Sequence, residues 1–208
     1  MIGRLHILTD TVLQHRYSHY QLAEMAIAGG ADVIQYRNKR ELTASDYAEL
    51  QAIRLLTRTH GVTFIINDSI DAAIACNADG CHVGATDTDP ITTRMRLLAA
   101  GIQEPIVGVT VHTLDELYAL PSTGIDYIGS GPVFGTSSKN TGLPPLGLEK
   151  LSEICKLSPV PVIAIGNINP ENIQATLATG AWGIAVLGAV CLAENPEVST
   201  HAFASQIF

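Results

Sequence analysis

Two aspartates that follow short apolar runs are the strongest candidates for metal chemistry in this sequence. Asp68 comes directly after Phe64-Ile65-Ile66-Asn67, and Asp87 follows a second apolar run, Gly80 to Val83. If the two runs are neighbouring parallel strands, their carboxyl ends lie at one edge of a sheet, where α/β folds place their ligand sites. Two carboxylates at such an edge suit Mg²⁺, which binds one or two carboxylates together with waters and substrate phosphates.

Three cations accompany these carboxylates. Arg37 and Lys39 leave an apolar run at alternate positions, and Lys139 lies in a long segment of glycines, prolines and hydroxyl residues, 130–145. Each could be an ordinary loop charge, but the chain has only 12 Lys and Arg. Together they suit a polyphosphate, and the segment around Lys139 has the composition of a mobile active-site lid or of a disordered surface loop.

The elements that must position these residues alternate regularly between strand and helix. The apolar runs predict strands at 5–8, 31–35, 62–66, 80–83, 105–109, 125–129, 161–165 and 183–187. Helical spacing or capping residues predict helices between them, at 20–28, 43–59, 69–76, 90–101, 114–120, 148–157 and 170–178. Eight such alternations predict an α/β fold, a single (β/α)8 TIM barrel over residues 1–208. A doubly wound open sheet is the alternative, although the sequence shows no GxGxxG turn and no switch point.

A recurring turn supports the alternation. Four segments end a helix in a residue that tolerates positive φ and pass directly into the next strand. They are Gly29-Gly30-Ala31-Asp32, Asn77-Ala78-Asp79-Gly80, Thr123-Gly124-Ile125-Asp126 and Thr179-Gly180-Ala181-Trp182.

Composition and charge narrow the class of protein. The 47% hydrophobic and 15% charged content suits strands buried on both faces. A net charge of -8 argues against nucleic acid as a partner. The four cysteines form no CxxC or Cys/His pattern, so we expect small core residues rather than a zinc site. No leader-like segment and no apolar run near twenty residues is present, so we expect a cytoplasmic protein without a membrane partner. Barrels of this kind often pair, and the sequence is compatible with a homodimer.

In a barrel, the residues that follow the strands collect around one site. From strand two onward they are Gln35, Arg37 and Lys39; Asn67 and Asp68; His82 and Asp87; Thr110 and His112; Thr136, Ser138 and Lys139; Gly166 and Asn167; and Gly188. Backbone amides at the last three suit a second phosphate, which barrels often bind after strands seven and eight. No nucleophile with a partner base is evident. The set therefore predicts a displacement between two phosphorylated small molecules, one of them a diphosphate held by metal and cations.

The chain resembles the thiamine phosphate synthase family over nearly its whole length. The resemblance rests on the joint order and spacing of six segments: Ile34-Gln35-Tyr36-Arg37-Asn38-Lys39; Ile66-Asn67-Asp68; Asp79 to Gly84 with Asp87; Gly108 to Thr113; Asp126 to Phe134 with Thr136 to Lys139; and Ala164-Ile165-Gly166.

The resemblance implies a reaction and a role for each site residue. Hydroxymethylpyrimidine diphosphate and hydroxyethylthiazole phosphate would give thiamine phosphate and diphosphate, by departure of diphosphate, formation of a pyrimidine-stabilised carbocation and attack of the thiazole nitrogen. Asp68 and Asp87 would bind Mg²⁺. The diphosphate would be held by Arg37, Lys39, Asn67 and Lys139, the three cations being the catalytic candidates. Gln35 and Thr110 would contact the pyrimidine, with Thr110 where the family usually has Ser. Thr136, Ser138 and the amides at Gly166, Asn167 and Gly188 would face the thiazole phosphate.

The chain departs from the family pattern at three places. Ala85 stands where many synthases carry Gln, Asn167 replaces the second glycine of Ile-Gly-Gly, and Leu187-Gly188 stands where Val-Ser or Ile-Ser is common. The related thiazole tautomerases therefore stay an alternative, although they carry a catalytic His where this chain has Pro132. A barrel that binds thiazole phosphate or thiamine phosphate without catalysis is a further alternative.

Single residues also have structural interpretations. Asp68 could cap the helix that follows it, and Asp87 could be a solvated loop residue. We expect His82 to be a structural hydrogen-bonding residue rather than a general base, and we leave the role of His112 open.

Overall fold

A closed barrel of parallel strands forms the centre of the molecule. The computed structural model describes residues 2–84, 87–135 and 144–208. In these ranges eight strands pair in chain order, and β8 returns to β1. The strands are β1 Leu5–Thr9, β2 Val33–Tyr36, β3 Thr63–Asn67, β4 Gly80–Val83, β5 Ile106–Val111, β6 Tyr127–Ser130, β7 Val162–Ile165 and β8 Gly183–Val186. The (β/α)8 prediction is confirmed, and the open doubly wound sheet is wrong because the two edge strands pair with each other.

Helices surround the barrel. They are α1 His19–Ala28, α2 Ala44–His60, α3 Ile70–Cys76, α4 Pro90–Ala99, α5 Leu114–Tyr118, α6 Gly147–Leu157, α7 Ile173–Leu177, α8 Gly188–Cys191 and α9 Pro196–Ile207. Polar side chains begin several of them: Asp89 accepts two backbone N–H groups at the start of α4, and Asn195 does the same for α9. In both helices proline follows as the first residue, where its missing N–H costs nothing. Among the described residues, no helix is long and apolar enough to span a membrane.

Two predicted boundaries need correction at the site. Strand β5 runs to Val111, so Thr110 lies inside the strand instead of after it, and Asn67 is the last residue of β3. Ser69 caps α3, because its hydroxyl accepts the N–H of Ala72 at 3.2 Å. The cap interpretation of Asp68 is therefore wrong, and its carboxylate is available for another role.

The recurring turns have the geometry that their sequence predicts. Gly30, Asn77, Gly124 and Gly180 all adopt positive φ, between 51° and 99°. The residue two positions after each of these four hydrogen-bonds the backbone near the start of an adjacent strand of the barrel. In the first three turns this residue is an aspartate that accepts backbone N–H groups from the preceding strand or its start, over 2.6 to 2.8 Å: Asp32 from Arg4 and Leu5, Asp79 from Phe64, and Asp126 from Val107. In the fourth turn Trp182 replaces the aspartate and donates its indole N–H to the Ile2 carbonyl at 2.9 Å.

Side chains alternate along each strand between the helices and the barrel interior. In β2, Ile34 belongs to the apolar layer beneath the helices, whereas Val33 belongs to the interior cluster with Ile65 and Ile163. The interior becomes polar toward the carboxyl ends of the strands, where inward positions carry Gln35, Asn67, His82 and Thr110. The register of the barrel thus brings polar residues that are far apart in the sequence together at the carboxyl ends of the strands.

Candidate active site

A large cavity opens at the carboxyl ends of the strands. It has a volume of about 810 Å³ and is lined by residues from all eight strands or the loops that follow them. Eleven of the residues predicted to collect at the site line it: Gln35, Lys39, Asn67, Asp68, His82, Asp87, Thr110, His112, Gly166, Asn167 and Gly188. The structure therefore brings together residues that are up to 153 positions apart in the chain, from Gln35 to Gly188.

The two aspartates lie at the same side of this cavity, after the neighbouring strands β3 and β4. Asp68 has a φ of 66°, which is uncommon for a residue with a side chain, and its N–H donates to the His82 carbonyl at 2.8 Å. Its carboxylate forms an ion pair with Lys39. Asp87 accepts the N–H of Gly84 at 2.7 Å. Strained backbone held by strand pairing is typical of functional positions.

The donor set fits Mg²⁺ better than a metal that needs a complete protein cage. Within 2–84, 87–135 and 144–208, no group of three or more His, Cys, Asp or Glu residues could hold a metal ion. Two carboxylates that line one cavity supply the one or two protein ligands that Mg²⁺ usually takes, with substrate phosphate and water completing its shell.

Arg37 is placed differently from Lys39. Its guanidinium forms an ion pair with Asp10, which is 2% exposed and also accepts the N–H groups of Val12 and Leu13. In the part of the chain that the structure describes, Arg37 does not line the cavity, and its Nε has no hydrogen-bond partner. Asp10 was not among the predicted site residues, because nothing in the local sequence pairs it with a residue 27 positions later.

A hydrogen-bonded row of polar residues forms the cavity floor. The Tyr127 hydroxyl lies 3.0 Å from His82 Nδ1, and His82 Nε2 lies 2.9 Å from Thr110 Oγ1. Burial raises the pKa of the Tyr127 phenol well above its usual value and keeps it protonated. The interpretation of His82 as a hydrogen-bonding residue agrees with these contacts. Sequence reasoning missed Tyr127, whose only signal is its position at the start of an interior strand.

The opposite side of the cavity is built from glycine-rich backbone. Gly166 adopts a φ of 111° and Asn167 a φ of 49°, so Asn167 keeps the left-handed turn expected of the glycine it replaces. Asn172, the residue that precedes α7, donates its side-chain amide to the Asn167 carbonyl at 3.0 Å and so stabilises this turn. A Cβ at Gly166 would lie 2.5 Å from the Pro132 Cα, whereas at Gly188 its nearest neighbour, Leu192, would be 4.0 Å away.

Three of the predicted residues cannot be placed, and His112 is the last to be described. Thr136, Ser138 and Lys139 fall in 136–143, outside the described residues. The interpretation of their segment as a lid therefore stays a prediction. His112 lines the cavity, and its Nδ1 donates to the Gly131 carbonyl at 2.5 Å.

Fold and site together define a (β/α)8-barrel enzyme with one polar cavity for phosphorylated small molecules. Residues 5–190 match the family model described as thiamine monophosphate synthase. A thiamine-phosphate synthase of Salinibacter ruber is 40% identical over 206 residues, covering 99% of this chain and 89% of that protein. The corresponding enzyme of Moorella thermoacetica is 42% identical over 187 residues, covering 89% and 87%. The chain belongs to the thiamine monophosphate synthase family and is an enzyme of the thiamine-phosphate synthase type.

A solved structure agrees with this assignment. Thiamine phosphate pyrophosphorylase from Pyrococcus furiosus superposes with a TM-score of 0.84 at 33% identity, covering 98% of this chain and 94% of that chain. The resemblance inferred from the sequence is confirmed.

Proposed function

We propose that this protein joins hydroxymethylpyrimidine diphosphate to hydroxyethylthiazole phosphate, releasing diphosphate and forming thiamine phosphate. The observation that carries the proposal is the division of one cavity into two halves. Asp68, Asp87 and Lys39 line one half, and the turns at Gly166-Asn167 and Gly188 line the other. A charged half and an amide-rich half suit a metal-bound diphosphate and a monophosphate that must meet in one site.

Asp68 and Asp87 are the proposed Mg²⁺ ligands. The metal would neutralise charge on the diphosphate as it departs. Lys39 forms an ion pair with Asp68, so its ammonium group is close enough to the proposed metal ligand to contact a metal-bound diphosphate. Asn67, which is 7% exposed and lines the same side, would donate its amide to a phosphate oxygen.

Arg37 and Lys139 complete the proposed diphosphate contacts. For Arg37 this role requires its guanidinium to turn away from Asp10, with which it is now paired. Lys139 would approach from the segment 136–143, together with Thr136 and Ser138 on the thiazole phosphate. Gln35 and Thr110 would hold the pyrimidine at the polar floor. The amides at Gly166, Asn167 and Gly188 would bind the thiazole phosphate.

These groups support a dissociative reaction. The cations and a bound metal would stabilise the negative charge of the departing diphosphate. The cavity would hold the thiazole nitrogen close to the pyrimidine methylene carbon, which loses diphosphate and then accepts the nitrogen lone pair. Nothing in the described site favours a tautomerase, since Pro132 lines the cavity where those relatives carry a catalytic His. Pairing of two copies stays a prediction, which light scattering tests.

The proposal is tested by product formation with defined substrates. Purified protein is incubated with Mg²⁺ and both substrates, and thiamine phosphate is measured with an EDTA control. We expect metal-dependent product in the wild type and a loss of at least about a hundredfold in Asp68→Asn, since a metal ligand contributes several kcal/mol to charge stabilisation. Asp71→Asn, in an exposed acid three positions later, is the matched control and should keep wild-type turnover.

Two outcomes would contradict the proposal. One is a folded wild type that forms no product. The other is binding of thiazole phosphate or thiamine phosphate with equal affinity in EDTA and in Asp68→Asn, without turnover, which would identify a binding protein instead.

A further inference from the structure

Arg37 lies between two residues of the cavity, but its guanidinium contacts a neighbouring loop. Gln35 and Lys39, two positions before and after it, both line the cavity. Alternate residues of an extended chain point to the same side, so position 37 continues the side of the chain that faces the cavity. The guanidinium instead pairs with Asp10, the residue that follows β1, and Arg37 is buried there.

Strand pairing and a tight loop fix the position of the Asp10 carboxylate. Strands β1 and β2 are parallel neighbours, and the Arg37 N–H donates to the Thr9 carbonyl at 3.1 Å, so Asp10 and Arg37 leave the sheet side by side. Oδ1 of Asp10 accepts the N–H groups of Val12 and Leu13 at 2.8 and 2.9 Å. These two bonds do not involve Arg37, so they hold the carboxylate in place whether or not the guanidinium is bound to it.

The ion pair does not use all the donors of the guanidinium. Nη1 of Arg37 donates to Oδ2 of Asp10, while Oδ1 is occupied by the two loop amides. Nε of Arg37 is buried and has no hydrogen-bond partner among the described residues. A buried donor without a partner costs free energy. A diphosphate has several negative oxygens and can accept two parallel N–H bonds from one guanidinium, so moving from Asp10 to a diphosphate would add hydrogen bonds to Arg37.

Asp10 also keeps hydrogen-bond partners when the pair opens. After Arg37 leaves, the carboxylate still accepts the N–H groups of Val12 and Leu13. Backbone N–H groups stabilise the charged form of a carboxylate, so the loop lowers the free-energy cost of separating the pair. Arg37 therefore has two alternative anionic partners, one on each side of its position at the end of β2.

We propose that Asp10 is a positioning residue that competes with diphosphate for Arg37: it holds the guanidinium away from the cavity in the free protein and binds it again when diphosphate leaves. The inference rests on the proposed function, in which Arg37 contacts the diphosphate. The free energy that binds Arg37 to Asp10 is lost when diphosphate takes the guanidinium, so Asp10 weakens diphosphate binding. Since diphosphate is a product of the proposed reaction, this competition speeds its release.

The test measures the affinity of the protein for inorganic diphosphate. Calorimetry with Mg²⁺ gives the dissociation constant, and inhibition of thiamine phosphate formation by added diphosphate gives an inhibition constant. Asp10→Asn keeps the size of the side chain and an oxygen for the two loop amides, but removes the charge that holds Arg37. We expect this variant to bind diphosphate at least about tenfold more tightly than the wild type, the lower end of the range for close charge pairs. A carboxylate with a purely structural role would instead give unchanged or weaker binding.

Two further variants separate the competition from a general electrostatic effect. Removing any negative charge near the cavity favours an anion, with or without Arg37. Arg37→Met removes the group for which Asp10 and diphosphate compete, so in that background Asp10→Asn should change the dissociation constant by less than about threefold. Asp115→Asn removes an exposed carboxylate of α5 and should leave the wild-type dissociation constant unchanged.

Diphosphate binding in folded Asp10→Asn that is no tighter than in the wild type would overturn the competition, as would an equal gain in the Arg37→Met background. Should Asp10→Asn not fold, a crystal structure of the wild type with Mg²⁺ and diphosphate decides: a guanidinium on the diphosphate supports the competition, and one still paired with Asp10 overturns it. A wild type whose Arg37 moves to bound diphosphate but which forms no thiamine phosphate would refute the proposed reaction and leave the competition intact.

Discussion

Acid should destabilise this barrel at a pH well above that at which carboxylates protonate, because two histidines are buried in the neutral form. His6 is fully buried inside the barrel, and burial lowers its pKa from 6.5 to about 3. His19 is the first residue of α1 and is buried; its Nδ1 lies 2.7 Å from Thr9 Oγ1 in β1, and its ring centroid lies 4.1 Å from that of Tyr36 in β2. Burial lowers the pKa of His19 from 6.5 to about 4.

The sign and size follow from proton linkage. Below about pH 6.5 the unfolded chain binds a proton at each histidine, whereas the folded chain stays neutral until the pH approaches its own lower pKa. The stabilising contribution of the two neutral histidines is therefore fully present above about pH 6.5 and is lost as the pH falls toward their folded-state pKa values of about 3 and about 4. Each histidine contributes roughly 1.4 kcal/mol per pH unit in this window, so the two together remove roughly 4 kcal/mol by about pH 5.

The assay is urea unfolding at a series of pH values between about 4 and 7.5. Between about pH 6 and pH 5 we expect the free energy of unfolding of the wild type to fall by roughly 2.7 kcal/mol per unit decrease in pH, and that of His6→Gln by roughly half as much. His201→Gln, at an exposed histidine of α9, should keep the wild-type slope. A His6→Gln slope equal to that of the wild type, or stability that rises as the pH falls, would refute the argument.

Two further substitutions test the ion pair and the packing of the strands. Asp10→Asn should lower the free energy of unfolding by about 3 to 5 kcal/mol, because it leaves the Arg37 charge buried without its partner. Urea unfolding measures this loss, with Asp115→Asn at an exposed site as the control. A loss below about 1 kcal/mol would contradict a buried ion pair. Gly80→Ala would place a methyl group 2.6 Å from the Ile106 carbonyl carbon at the start of β5 and should cost more than about 2 kcal/mol. Gly61→Ala, where no described residue lies within 4 Å of the added methyl group, should cost only the roughly 1 to 2 kcal/mol of its positive φ. Equal thermal shifts in the two variants would count against the steric argument.

The fold could be predicted from the sequence because its signals are local and repeated. At four places a helix gives way to the next strand through a residue that tolerates positive φ, as at Gly30 and Asn77. The same repetition placed Asp68 and Asp87 at neighbouring strand ends. The boundary of β5 was missed by two residues, because Thr110 and Val111 belong as readily to a polar loop as to the strand that pairing extends.

The contacts that define the site were less predictable, because they join residues far apart in the chain. Nothing near Arg37 indicates that its partner is Asp10, and nothing near Tyr127 indicates that it reaches His82, 45 positions away. These contacts arise when the barrel closes and inward positions of different strands face each other. A single sequence shows which residues face inward but not which of them meet.

The closure of the barrel through its first and last strands has a consequence for synthesis on the ribosome. The chain is made from β1 onward, but β1 pairs with β8, and Trp182 bonds Ile2. Until residues 183–186 have left the exit tunnel, the nascent sheet has two unpaired edges that can bind other chains. Among the strands of the barrel, Leu5–Thr9 is therefore the one that waits longest for its second partner.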